Sequence, residues 1–341
     1  MSFKPKLASL LISLSLLTSS CSSISTGESD SKPAPERNVL TGEVGTNGKV
    51  LAVKFDDTRA AQPQEGVAAA DVVFVTQVEA GLTRLMGIYT SNYPEQVGPV
   101  RSARISDIDI LAQFGRVGFL YSGAQGKLRP VLSAANLENL SAERNPPSIY
   151  FSDPNRIAPY AMMVRIPALL EKAESVDTVK GIGWTHGARD KTARRIASAK
   201  MTWPNASYEA IWSKSERRFL LNFNGAPKLD TTSSQLGSEM MVIQMVKISP
   251  SEYGDKFGGV TPKSSVIGEG VAYLLRNGSV TEARWKRASA TEPTQWLIPA
   301  AEGDEDFRPA YFARGQVWFF LTDQEPQFTY ALPANGSNPD K

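Results

Sequence analysis

The chain has one cysteine, one histidine and almost no net charge, and each scarcity removes a class of protein. With Cys21 alone no internal disulfide can form, so burial of apolar surface must hold the fold. With His186 alone a multi-histidine zinc site cannot be built, and only carboxylates remain to hold a hard cation. Lys and Arg number 37 against 35 Asp and Glu, a formal net charge of +2 that leaves no electrostatic footprint for nucleic acid. There is no phosphate-cradling glycine loop, no cysteine-centred metal motif, no convincing Ser-His-Asp order and no fixed-period repeat. Neither a metal nor a cofactor is expected. A hydrophobic fraction of 41% over 341 residues can supply one large core or two ordinary ones.

What is present begins with a leader. Lys4 and Lys6 precede an apolar run from Leu7 to Leu17, which reaches Thr18-Ser19-Ser20-Cys21. This is the basic, apolar and small-residue order of an export signal, and the run falls short of the roughly 20 residues that a membrane-spanning helix needs. The signal is similar to that of bacterial lipoproteins, with Cys21 as the acylated residue, although Thr18 stands where a leucine is usual. An ordinary secreted protein with an incidental cysteine is the other reading. Acylation would remove a thiol otherwise left unpaired outside the cytosol. Residues 22–47, rich in Ser, Gly, Pro and charge, are expected to form a flexible tether.

The remainder divides by its punctuation. Lys49 to Phe55, Asp71 to Glu79, Leu82 to Tyr89 and Val117 to Tyr121 read as strands, and Val72 to Val75 is apolar enough for burial on both faces. Asp107 to Phe114, Leu128 to Leu140 and Ile166 to Ser175 read as helices, the first with Ser106 and Asp109 as a capping box. Beyond residue 200 short strands dominate: Tyr208 to Trp212, Arg218 to Phe223, Met240 to Lys247, Val271 to Leu275, Ser279 to Trp285 and Gln316 to Leu321. Asn277-Gly278 is the strongest hairpin signal among them. The expected class is α+β, with a mixed α/β domain over residues 48–190 and a mainly antiparallel β domain over 200–333, joined through the charged stretch Ala188 to Lys200.

Polar groups concentrate at strand ends and helix starts, where mixed α/β folds gather their ligand sites. Asp56 and Asp57 close the first strand. Glu79 and Arg84 flank Ala80 to Thr83; Arg101, Ser102, Arg104 and Asp107 follow the Gly98-Pro99 turn; Ser122 follows Tyr121. Arg84, Arg101 and Arg104 could clamp a carboxylate or phosphate, with Asp57, Ser102, Asp107 and Ser122 completing the site. They could equally pair with Asp56, Asp57, Glu79 and Asp107 as an internal ion network. Glu79 ends an apolar run, where desolvation would raise its pKa and suit it to donate a proton. With Asp56 opposite, the two could cleave a glycosidic bond. His186 reads as a loop residue, and Trp203, Trp212, Trp285, Trp296 and Trp318 as core, with a sugar-binding face the alternative.

The runs VKFDDTRAAQPQEG from Val53, Ala70 to Val73, VEAGLTR from Val78 and VGPVRSARISDI from Val97 resemble the YerB-like lipoproteins. So do Tyr121 to Gly123, Arg156, Ala158-Pro159, Gly268 to Gly270, Asn277-Gly278, Trp285 and Trp318. The resemblance covers nearly everything after the tether and implies two domains of unknown function, export and a lipid anchor. This chain departs from it at Asp57, where relatives carry Asn, at Gln62 and Ser152, where Arg is usual, and at Tyr160-Ala161, where His-Asn is common. A mechanism that needs that imidazole could not run here, whereas Glu79, Arg84, Arg101, Arg104 and Asp107 keep the pattern. The expectation is a protein anchored in the cell membrane, facing outward, that binds an anionic cell-wall component. A glycan-cleaving enzyme with Glu79 as general acid is the alternative.

Overall fold

Strands from both halves of the chain meet in one sheet. The computed structural model describes Met1 and residues 35–255, 258–301 and 306–331. Across the main sheet the order is Leu137–Asn139, Val117–Leu120, Leu51–Asp56, Thr83–Tyr89, Val72–Gln77, Val317–Thr322, Met240–Met245, Gly268–Arg276, Ser279–Arg287, Gln295–Pro299 and Phe307–Pro309. Val317–Thr322 forms the seam: Val317 lies parallel to Val72 on one side and to Met240 on the other. The residues from Pro35 onward group into one compact unit.

The seam strand is buried at all six positions, and its two neighbours at five of six, because the sheet is covered twice. Val73, Val75, Trp318 and Phe320 face one core, shared with Ile196, Tyr208 and Phe219 of a second sheet. Val72, Phe74, Phe319 and Leu321 face the other, shared with Ile110, Leu111 and Phe114. That second sheet runs Gln327–Tyr330, Arg194–Trp203, Ala206–Ser213, Arg218–Phe223 and Gly237–Ser238, all antiparallel.

Strands prevail throughout, and the first half is less helical than its sequence suggests. Among the described residues the α-helices are Ile105–Leu111, Arg129–Ala134 and Pro167–Leu170. The second is half the expected length because Ala135 turns extended and Leu137–Asn139 pairs in parallel with Val117–Leu120. At the first helix, Asp107 rather than Asp109 caps the start, its Oδ2 accepting from the Arg104 N–H at 2.7 Å. The charged stretch expected to connect the halves runs into the ten-residue strand Arg194–Trp203, with Ile196, Ala199, Met201 and Trp203 buried and Arg194, Arg195 and Lys200 exposed. Its charges and a register shift between Ile196 and Ser198 hide the two-residue period. At the Asn277-Gly278 hairpin both residues take positive φ, 51° and 66°, as the tight turn requires.

Order also begins earlier than the expected tether allows. Leu40 is fully buried, Arg37 bridges Val44, and the Asn38 side chain donates to Thr46 O and Thr90 Oγ1. The leader, Cys21 and the first part of the tether lie outside the described residues. Among the described residues no helix is long and apolar enough to cross a membrane.

Candidate functional site

Adjacent strand ends deliver the arginines to one place. Antiparallel pairing sets Arg84 opposite Asp56, and Glu79 stands in the turn between Val72–Gln77 and Thr83–Tyr89. The segment after Gly98-Pro99 carries Arg101, Ser102 and Arg104 across the same sheet end on its way into the first helix. Six predicted residues, Asp56, Glu79, Arg84, Arg101, Ser102 and Arg104, line a cleft of about 760 Å³. Ala80 and Gly81 make its tight corner with φ of 57° and 66°. Side-chain Cβ atoms make positive φ uncommon, so Ala80 is a strained position; the Asn205 amide fixes it by donating to Ala80 O at 2.7 Å.

Within the cleft two arginines are paired. Arg104 grips Glu79 at two points, Nε to Oε1 at 2.6 Å and Nη2 to Oε2 at 2.8 Å, and the Thr261 hydroxyl donates to Oε1. Burial alone would raise the Glu79 pKa, but Arg104 and Thr261 together hold its carboxyl below the usual range. Glu79 is therefore a carboxylate at neutral pH, the reverse of the raised pKa predicted from its apolar run. Arg101 Nε lies 2.9 Å from Asp56 Oδ2, while the other Asp56 oxygen accepts from the Thr58 N–H and hydroxyl.

Arg84 differs from both. It is 8% exposed, and its one hydrogen bond among the described residues runs from Nη1 to Ser102 O at 2.7 Å. No carboxylate of the described residues lies within ion-pair distance of it. Burial, and then the neighbouring Arg104 charge, push its pKa down to about 9, which still leaves a cation at neutral pH.

Three predicted site residues stand apart from this cleft. Asp57 is sealed inside, where its carboxylate accepts from Lys228 at 2.7 Å, Thr83 at 2.6 Å and Tyr208 at 2.7 Å. Asp107 is fully buried 2.5 Å from Lys54 Nζ. Burial pushes both lysine ammoniums down and the facing aspartates oppose it, while the buried Tyr208 phenol is pushed well up and stays a donor. These two pairs are internal framework and cannot meet a ligand. Ser122 lies in an adjoining cavity of about 350 Å³ across Arg101, its Oγ 3.5 Å from Ser102 Oγ.

Sequence reasoning missed the contribution of the second half. Gly254 and Asp255 line the cleft, and Thr261 reaches Glu79 across 182 residues of chain. The strands Ile248–Gly254 and Val260–Ser264 form a hairpin laid against the first helix, held by Lys263 to Asp109 at 2.9 Å and by the Ser264 N–H to Ser106 Oγ at 2.9 Å. No local signal marks such long-range contacts. Tyr160 also lines the cleft, with the Arg101 guanidinium 5.8 Å from its ring centre.

Of the tryptophans, Trp203, Trp285, Trp296 and Trp318 are core and Trp212 is partly buried against it. His186 pairs in the short strand Thr185–His186 rather than in a loop, and burial lowers its pKa. Among the described residues no group of three or more His, Cys, Asp or Glu is placed to hold a metal ion.

Comparison with known proteins agrees with this organisation. Residues 40–180 match the N-terminal domain, and residues 198–319 the C-terminal domain, of a protein family of unknown function, DUF3048. Over 71 residues the chain is 39% identical to the "Putative lipoprotein YerB" of Bacillus subtilis (strain 168), a match covering 21% of this chain and only 22% of that protein. The crystal structure of the YerB protein from Bacillus subtilis shares the fold, with a TM-score of 0.72 at 18% identity, covering 86% of this chain and 99% of that one. The chain belongs to the DUF3048 family, whose N-terminal and C-terminal domains it carries in that order.

Proposed function

We propose that this protein binds an anionic ligand on Arg84, as a lipid-anchored accessory protein on the outer face of the cell membrane, and that the ligand is a carboxylate of the cell wall. One observation carries the reading: a buried guanidinium opens on the cleft with one carbonyl partner and no carboxylate. Arg101 and Arg104 already hold Asp56 and Glu79, so a ligand oxygen would complete the one of these three arginines that lacks a carboxylate. A guanidinium is suited to this because it presents several donors in a fixed plane and can grip a carboxylate at two points. The leader ending in Cys21 supports the anchor, and the named relative is consistent with it.

Calorimetric titration of the purified protein with cell-wall stem peptides tests this, using free and amidated carboxyl termini. Free peptides are expected to bind, and Arg84→Met to weaken them at least about tenfold, the size of a lost charge-assisted hydrogen bond. Equal affinity for both peptide forms, or for both proteins, would overturn the reading. Fractionation of cells carrying Cys21→Ser, expected to release the protein from the membrane, tests the anchor separately.

A further inference from the structure

On the face of the sheet that the first helix covers, four of the residues lining one small cavity carry buried hydrogen-bond donors. They are Arg287 Nη1, Gln244 Nε2 and the indole nitrogens of Trp184 and Trp296, and none has a partner among the described residues. The cavity measures about 10 Å³, space for one small species. Both indoles pack on Phe319, at ring separations of 5.5 and 5.3 Å. The acceptor nearby, Gln113 Oε1, is turned to the Thr294 N–H and hydroxyl at 3.4 and 3.3 Å.

Arg287 makes this unusual. It is 1% exposed, and its remaining donors go to backbone carbonyls: Nε to Glu292 O at 2.9 Å, Nη2 to Asp109 O at 2.7 Å and to Ala290 O. No carboxylate of the described residues lies within ion-pair distance, so its charge is buried without a counterion. Burial lowers its pKa to about 10, opposed by the more distant Asp109, and it remains a cation at neutral pH.

A buried cation and buried N–H groups are stable only when something accepts from them. A single water has two lone pairs, so it could satisfy two of the four donors and none of the charge. Turning the Gln244 amide over would supply one acceptor for three donors, still too few. A spherical anion accepts from all four and neutralises the guanidinium. We propose that this cavity is a binding site for a small monatomic anion of the chloride type, held by Arg287, Gln244, Trp184 and Trp296. Chloride is wider than water, and the Gln244 side chain is the flexible wall that can give. The anion would also act as a rivet, because Arg287 already reaches Asp109 on the first helix while Gln244 lies one strand from the seam.

The test exchanges the purified protein into gluconate and titrates chloride at constant ionic strength while following thermal unfolding. A saturable rise in Tm on the order of 5 °C is expected, since a ligand that binds only the folded state stabilises it by mass action. Arg287→Met would lose its backbone contacts as well, so Gln244→Glu is the sharper variant: its carboxylate supplies the missing charge inside the cavity and should abolish the chloride dependence in a folded protein. Crystals grown in chloride should show a chlorine anomalous peak between the two indoles at long wavelength. A Tm indifferent to anion identity, a chloride response unchanged in Gln244→Glu, or cavity density without that anomalous signal would overturn the site.

Discussion

Asp56 and Asp57 are neighbours in sequence, and their environments are opposite. Asp56 lines the cleft beside Arg101, whereas Asp57 points to the other side of the chain and is sealed with Lys228, Thr83 and Tyr208. The arginine cleft and the two buried lysine–aspartate pairs use the same chemistry under different constraint. In the sealed pairs every charge has an opposite charge inside the protein, so the pair is bound up with stability. In the cleft Arg84 lacks one, and that shortfall is what a ligand can fill.

The comparison breaks most severely at the sealed pairs. Asp57→Asn leaves the Lys228 ammonium buried without a counterion, and loss of one partner of such a pair costs about 3–5 kcal/mol; chemical denaturation should show it, and a loss within 1 kcal/mol would mean that water reaches the pair. Glu79→Gln comes next, with about 1–3 kcal/mol lost as the Arg104 guanidinium gives up its carboxylate. Glu79 also gives the pair a pH signature. Its folded pKa is depressed, so its stabilising contribution is present above the unfolded carboxyl value of about 4.3 and fades as pH falls through the lower folded value. The stability curve of Glu79→Gln should run parallel to wild type above pH ~5 and lie closer to it in more acid solution. A gap that does not narrow there would contradict the depressed pKa. Thr261→Val, which removes one hydroxyl donor from the same carboxylate, should cost only about 1 kcal/mol and raise the Glu79 titration midpoint seen by NMR.

These contrasts also mark what the sequence could disclose. Strand positions were legible where the signal is local, as at Val72 to Val75 and the Asn277-Gly278 hairpin. The gathering of Asp56, Glu79, Arg84, Arg101, Ser102 and Arg104 was legible because each sits at the end of an element in a fold that brings such ends together. Which of them face outward was not. Lys54, between Val53 and Phe55 in a strand buried at all six positions, would be assigned to solvent by alternation; only the distant Asp107 explains its burial. The seam strand Val317–Thr322 and the hairpin that brings Thr261 to Glu79 depend on contacts far apart in the chain, such as Val72 with Val317 and Glu79 with Thr261, which no local pattern records.

The most direct test is the unfolding free energy of Arg84→Met compared with wild type in the absence of ligand. Arg84 is a desolvated cation without a carboxylate, so replacing it with an apolar chain of similar length should leave stability unchanged or raise it, by up to about 1–2 kcal/mol. A loss above 2 kcal/mol, approaching that at Asp57, would place Arg84 with the internal framework and contradict the role we propose for it as a ligand-binding cation.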